Sequence, residues 1–249
     1  MRLKFVICKV LQKEAYLCAA KSSNVVDIVP MEQGLHNTPD VLRTEVQKEL
    51  EKLADVAGNK YDAVLLGYVL CGNGITGLRC AIPLVVPRAH DCITLLLGSK
   101  ERYREVFDQR PGTYYYSSGW LEYSERGGDR VEYPQKSGWV RQMTYEHLRE
   151  QYGEDNARYL VEVMASWEAS YSDGTLIAFP FDARLRLEEK VRKICDEKGW
   201  RFSTLPGDLA LVRRLLDGEW DDGDFLVLQP REQIKATYDD NVIAAADGR

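Results

Sequence analysis

Two short apolar runs within residues 63–99 constrain the fold of this chain more than any other feature. The first run, residues 63–70, ends in a Cys-Gly-Asn-Gly segment. The second, residues 82–86, is followed closely by an Arg-Ala-His-Asp-Cys segment. Short apolar runs bounded by glycine and proline are typical of strands buried in a parallel sheet. Ligands of such sheets bind outside the carboxyl ends of the strands, so we expect function where these two strands end.

The remaining pattern predicts strands and helices on both sides of this stretch. Thr38 and Pro39 suit the start of a helix that runs to about Ala57, because the first helical turn does not need the donor that proline lacks. The first half has further predicted strands over residues 3–10, 25–29 and 113–116. The second half has predicted strands over residues 176–181, 200–205 and 225–229, and predicted helices over residues 185–198 and 208–216.

This alternation predicts an α/β fold with a doubly wound, mostly parallel sheet, arranged in two β/α halves with a cleft between them. Residues 1–122 form the first half, which carries the candidate site. Residues 123–143 are rich in Glu, Arg, Gly and Asp without a period, and we expect a linker or excursion there. Residues 144–249 form the second half, which begins with a helix over about residues 144–167 and ends in a frayed tail after Tyr238.

The charge of the chain excludes some classes of partner. Its 249 residues include 39 acidic and 33 basic residues, well interspersed, for a formal net charge of −6. Such a chain has neither the basic footprint of a nucleic-acid-binding protein nor a polybasic patch for a membrane. No run approaches the length of a membrane-spanning segment, and no export signal is recognisable. We expect a cytoplasmic protein with reduced thiols that acts on a small-molecule substrate or binds a protein partner.

Thiol and imidazole groups are predicted to meet at one edge of the first sheet. If the strands are parallel, their carboxyl ends bring together Cys8, His36, Cys71, His90 and Cys92. Such ligands suit zinc or iron, and three thiolates suit an iron–sulfur cluster with one open iron. The hypothesis depends on the fold, because the sequence has no CxxC pair and only His90 and Cys92 are close along it.

Several of these residues also have an ordinary structural interpretation. A cysteine in an apolar strand, such as Cys8, is commonly a small buried hydrophobe. Cys18 and Cys195 are expected to pack within helices, and the role of Cys80 stays open. His36 is equally compatible with a loop histidine that bonds to the backbone.

The loop that begins at Cys71 favours ligand binding. Gly72 and Gly74 lack side chains, so the backbone can adopt unusual dihedral angles and a ligand can approach it closely. The glycines resemble those of a phosphate-binding loop, but the segment is neither GxGxxG nor a P-loop with its lysine. We predict that Gly72, Asn73 and Gly74 contact a cofactor.

Cys92 is predicted to lie in the first turn of a helix that Asp91 caps. At that position the helix dipole lowers the pKa of a thiol, which suits either a metal ligand or a nucleophile with His90 as its base. Arg88 would serve as a clamp for a carboxylate or phosphate, and Glu14 would lie nearby as an acid or base. The alternative is that Asp91 simply caps the helix while Cys92 packs beneath it.

Motifs along nearly the whole chain carry a resemblance to a known family, most specifically over residues 88–99. They are Gly67-Tyr68-x-Leu70-Cys71-Gly72, the segments 87–93, 97–99 and 112–115, Gly119-Trp120, Leu35-His36-Asn37-x-Pro39, and Cys8 with Glu14. The chain resembles the domain of unknown function 1638 family. The resemblance implies a shared fold and no assigned activity, together with an association with corrinoid-dependent one-carbon metabolism in bacteria and archaea.

Three hypotheses follow. The leading one is a protein whose Cys8, Cys71 and Cys92 bind zinc or iron in support of a reaction on a small molecule. In it, His36 or His90 completes the metal shell or acts as acid or base. The second is a metal-free enzyme with a cysteine nucleophile. The third is a non-catalytic accessory protein for a corrinoid or methyltransferase partner.

Overall fold

The computed structural model describes residues 1–52, 60–125, 153–154 and 170–248, and these form a mixed α/β structure. Most of the predicted linker and nearly all of the predicted helix over residues 144–167 lie outside the described residues. The same holds for residues 53–57, where the first long helix is predicted to end.

The strands of the described residues form three sheets. They are β1 (Arg2–Cys8), β2 (Val25–Met31), β3 (Ala63–Gly67), β4 (Leu84–Pro87), β5 (Thr113–Tyr116), β6 (Asp173–Ala178), β7 (Arg201–Pro206), β8 (Phe225–Leu228), β9 (Glu232–Ala236) and β10 (Ile243–Asp247). The central sheet has the order β2-β1-β3-β4-β8, with β8 antiparallel to β4 and the other pairs parallel. A second sheet, β5-β6-β7, is parallel, and β9 and β10 form an antiparallel hairpin. The prediction of a mostly parallel sheet in an α/β fold is confirmed.

The helices of the described residues are α1 (Gln12–Ala19), α2 (Pro39–Glu51), α3 (Cys92–Leu97), α4 (Lys100–Gln109), α5 (Ser118–Glu125), α6 (Leu187–Lys198) and α7 (Ala210–Asp217). Side chains cap α3 through Asp91 and α4 through Ser99, whereas Thr38 makes no side-chain hydrogen bond at the start of α2. As predicted, α2 has Pro39 in its first turn, and Asp91 caps α3 by accepting a hydrogen bond of 3.0 Å from the Ile93 amide. Within the described ranges, no helix is long and apolar enough to cross a membrane.

Both faces of the central sheet are buried, which explains its continuous apolar runs. On β1, Leu3, Phe5 and Ile7 belong to a core shared with α1, α3 and α7. Val6 and Cys8 belong to a second core, shared with α2. Burial of each large apolar side chain stabilises the fold by about 2 kcal/mol.

Two strands pair differently from the sequence prediction. The strand β5 was expected beside the first four strands, but it pairs with β6 in the second sheet. The strand β8 was expected in the second half, but it pairs with β4 at the edge of the central sheet. Proline was expected to end β2 at Pro30, yet the strand continues to Met31 because β2 is an edge strand, where a missing donor is tolerated.

The predicted frayed tail after Tyr238 is wrong, because residues 243–247 form β10 and pair with β9. Arg88, beside the end of β4, holds this hairpin in place. Its guanidinium donates hydrogen bonds to the carbonyl oxygens of Asn241 and Ile243 on the hairpin and of Phe225 on β8. The hairpin is therefore fastened to the loop that leads to Cys92.

Candidate functional site

Three adjacent parallel strands carry three cysteines to the same edge of the central sheet. Cys8 is the last residue of β1, while Cys71 and Cys92 lie in or just after the loops that follow β3 and β4. The two loops continue the strand pairing, because the Leu70 amide donates to the Ala89 carbonyl at 3.0 Å and the Cys71 amide donates to the His90 carbonyl at 2.9 Å. The pairing holds Cys71 beside the segment that leads into Cys92.

Cys71 lies in a backbone conformation that L-residues rarely adopt. Cys71, Gly72 and Asn73 have φ angles of 43°, 64° and 71°, and the Gly74 amide closes the turn by donating to the Cys71 carbonyl at 3.3 Å. A left-handed non-glycine residue costs about 1–3 kcal/mol and persists where its surroundings impose it. Strain of this kind is concentrated at functional sites.

The predicted cofactor loop divides into an exposed part and a packed part. Gly72 and Asn73 are exposed, and a Cβ on Gly72 would meet no atom within 4 Å. Gly74 is buried, and a Cβ there would lie 2.4 Å from Leu42 Cδ2. Gly74 therefore allows α2 to pack against the loop, while Gly72 and Asn73 face open space.

The three thiols are close enough to influence one another, and burial favours the uncharged form of each. Burial raises the pKa of Cys8, raises that of Cys71 to about 12 and raises that of Cys92 well above its usual value. Negative charge on Cys8 would raise the pKa of Cys71, and charge on either would raise that of Cys92. The lowered pKa predicted for Cys92 is therefore wrong, because desolvation outweighs the short helix behind it.

Tyr68, which follows β3, lies beside Cys8. Its side chain is buried, and its hydroxyl is placed to donate towards the Cys8 sulfur. The geometry falls short of a formed hydrogen bond, and the hydroxyl has no other partner among the described residues. Burial and the neighbouring thiols raise the pKa of Tyr68 well above its usual value, so it remains a donor.

A half-buried carboxyl group and two tyrosines lie around Cys92. The Asp91 carboxylate accepts a hydrogen bond of 2.8 Å from the Tyr103 hydroxyl. The Tyr103 ring meets the Tyr115 ring edge to face at 6.0 Å, which links the site to β5 of the second sheet. Burial raises the pKa of Asp91, although its hydrogen bonds oppose that shift.

The two predicted histidines have different surroundings. The His36 ring centre lies 6.1 Å from that of Trp120, and burial lowers the pKa of His36, which favours the neutral imidazole. His90 is exposed and lines an open depression of about 640 Å³ together with Leu70, Asn73 and residues 236–240 of the hairpin. In the described part of the chain, no three Cys, His, Asp or Glu side chains are yet arranged to hold a metal ion.

Arg88 and Glu14 have contacts away from the thiols. The Arg88 guanidinium donates its described hydrogen bonds to backbone carbonyl oxygens of β8 and the hairpin. Glu14 is 1% exposed and interacts with Lys13 and Asp182, and burial followed by the charge of Asp182 raises its pKa to about 7.

Sequence reasoning gave no site role to Tyr68 or Tyr103. Tyr68 has a sequence signal, since it is a polar-tipped residue inside an apolar run, three residues before Cys71. Tyr103 has none, because its contact with Asp91 depends on how α4 packs.

Comparison with known proteins places these residues in a family. A family model described as "Protein of unknown function (DUF1638)" matches residues 30–216, about three quarters of the chain. The chain belongs to the DUF1638 family. The match includes Cys71 and Cys92 of the DUF1638 domain, while Cys8 and Glu14 precede it. No curated protein and no solved structure matches the chain.

Proposed function

We propose that this DUF1638 protein binds a thiophilic metal, zinc or iron, through Cys8, Cys71 and Cys92, in a cleft between two β/α halves. The observation that carries the proposal is the convergence of three mutually interacting thiols on the carboxyl ends of three adjacent parallel strands. Three thiolates are a sufficient protein ligand set for a zinc site with one further ligand, or for an iron–sulfur cluster with one open iron.

The thiol pKa values favour a metal over a free cysteine nucleophile. Reactive cysteines have a lowered pKa, whereas burial raises the pKa of all three thiols here. A bound cation would supply the positive charge that lets buried thiols ionise, and its binding would release their protons. Among the described residues the three thiols are not arranged to hold a metal ion, so binding would require their side chains to move.

The surrounding groups suit the outer layer of a metal site. Tyr68 is placed to donate towards the Cys8 sulfur, and such donors orient and tune thiolate ligands. His36 and His90 remain candidates for a fourth ligand or for an acid or base. The depression beside His90 would admit a small-molecule substrate, so we propose an enzyme rather than a storage site. The corrinoid or methyltransferase partner stays a prediction, as does cytoplasmic location.

Metal analysis of protein purified without oxygen tests the proposal. We expect about one zinc, one iron or one cluster per chain, lost in Cys71→Ser and in Cys92→Ser. Cys195→Ser is the matched control, because Cys195 is buried in α6 against Gly174, so this variant should keep its metal. Parent protein without zinc or iron, or equal metal in all variants, would contradict the proposal.

A further inference from the structure

Two buried carboxyl groups have oxygen atoms that nothing described in this protein satisfies. Glu14, on α1, is buried, and neither of its carboxyl oxygens has a well-formed hydrogen bond among the described residues, although its own backbone amide lies close enough to lower its pKa. Asp182, in the turn Pro180–Leu185, is 4% exposed, and its Oδ2 atom is likewise without a partner there. Buried carboxyl oxygens are nearly always hydrogen-bonded, so these three acceptors call for donors that the described residues do not supply.

The two groups come from the carboxyl ends of strands in different sheets. Glu14 follows the end of β1 in the central sheet, and Asp182 follows the end of β6 in the second sheet. The two carboxyl groups lie near each other, because Lys13, which precedes Glu14 in α1, contacts Asp182 Oδ1, and the charge of Asp182 raises the pKa of Glu14. Ligands of α/β proteins bind at such strand ends. The position is therefore one where a ligand is expected.

Lys13 sets the charge that a ligand must have. Its Nζ atom contacts Asp182 Oδ1 and lies 5.2 Å from the centre of the Phe181 ring. Lys13 is the cation that the structure gives this pair within the described residues. When both carboxyl groups are ionised, one negative charge remains unbalanced. A univalent cation balances it, while a divalent ion would leave an excess of positive charge.

The pair also lies close to solvent despite its burial. The Lys13 side chain is 37% exposed and ends on Asp182, so one lysine side chain separates the carboxylate from the surface. Phe181 beside it is 36% exposed.

We propose that Glu14 and Asp182 bind the ammonium group of a small molecule that carries a primary amine. The three N–H donors of an ammonium group match the three bare oxygens, Glu14 Oε1 and Oε2 and Asp182 Oδ2. Its single charge balances the pair. A quaternary ammonium ion has the charge without the donors, and Mg²⁺ has oxygen affinity with twice the charge, so each is a distinguishing probe. This site is independent of the proposed thiol metal site.

Titration with ethylammonium chloride tests the proposal, with tetraethylammonium chloride and MgCl₂ as probes at equal ionic strength. The readouts are the carboxyl carbon resonance of Glu14 in ¹³C-labelled protein and the thermal unfolding midpoint. We expect a saturable shift of the Glu14 resonance and a higher midpoint with ethylammonium alone. Glu14→Gln and Asp182→Asn should bind about tenfold more weakly or worse, the loss typical of a charge-assisted hydrogen bond. Glu197→Gln, at an exposed position on α6, should bind like the parent.

An equal response to tetraethylammonium, tighter binding of Mg²⁺, or an unchanged response in folded Glu14→Gln would overturn the proposal. Circular dichroism establishes that each variant is folded. If neither variant folds, the carboxyl carbon resonance of Glu14 in the parent protein is the test. A shift with ethylammonium supports binding at Glu14, and an unshifted resonance contradicts it. Glu14→Gln should retain the metal content of the parent, so failure here and failure of the metal proposal are distinguishable.

Discussion

At the scale of single residues, burial decides the chemistry of this protein more than position in an element does. Cys92 begins a helix, a position that lowers the pKa of a thiol, yet desolvation raises it. Glu14 lies in the first turn of α1, where a carboxylate is favoured, yet burial raises its pKa to about 7. The sequence shows where a residue stands in a helix, but it does not show how much water the fold leaves around it.

Glu14 should make the stability of the protein depend on pH. Its folded-state pKa of about 7 lies above the ordinary value of 4.5. The contribution of Glu14 to the free energy of unfolding is therefore fully present below pH 4.5 and is lost as pH rises through 7. A shift of this size corresponds to about 3 kcal/mol. Relative to the parent, Glu14→Gln should therefore gain up to about that much unfolding free energy between pH 5 and pH 8, measured by urea denaturation at each pH.

Glu197→Gln, on the exposed face of α6, is the control and should follow the parent at every pH. A constant difference between the parent and Glu14→Gln across this range would contradict the assignment.

At the scale of elements, a glycine determines how closely α5 packs at the edge of the central sheet. A Cβ on Gly119 in α5 would lie 1.8 Å from the carbonyl oxygen of Val10, in the turn that follows β1. Helix α5 therefore packs closely against the turn that follows Cys8. The glycine is what lets α5 contact the turn after β1 this closely.

Gly119→Ala should therefore destabilise the protein by about 3 kcal/mol, because a backbone atom cannot yield as a flexible side chain can. Chemical denaturation measures the change. Gly72→Ala is the comparison, since its Cβ meets nothing and only its φ of 64° is unfavourable, for a cost of about 1 kcal/mol. Equal losses in the two variants would show that the contact with Val10 is not limiting.

The sequence predicted the elements of the central sheet well, but not how all of its strands pair. Apolar runs and caps are local signals, so β1, β3, β4 and the start of α2 were found close to their actual positions. The meeting of Cys8, Cys71 and Cys92 at one edge followed from parallel pairing. Nothing local marks the four residues of β5 as partners of β6 rather than of β4, and the hairpin of β9 and β10 was missed for the same reason.

At the scale of the whole molecule, Arg88 joins the hairpin to the loop that carries His90. Arg88→Ala removes three hydrogen bonds to carbonyl oxygens and should loosen the hairpin that lines the depression beside His90. Hydrogen exchange over residues 232–247 should become about tenfold faster or more, as expected when local opening becomes easier by 1–2 kcal/mol.

Arg104→Ala is the matched control. Arg104 pairs with Asp240 on the same hairpin, but both side chains are largely exposed, so its loss should change exchange little. Comparable acceleration in the two variants would mean that Arg88 has no special role.

The pairing of β8 with β4 has a consequence for how the chain acquires its structure. The two strands lie about 140 residues apart in sequence, so the edge of β4 is covered only by a late segment. During synthesis, the partial chain exposes the backbone N–H and C=O groups of β4, together with apolar residues that β8 later buries. A nascent or truncated chain that stops before Phe225 is thus a strand acceptor, open to pairing with another copy of itself.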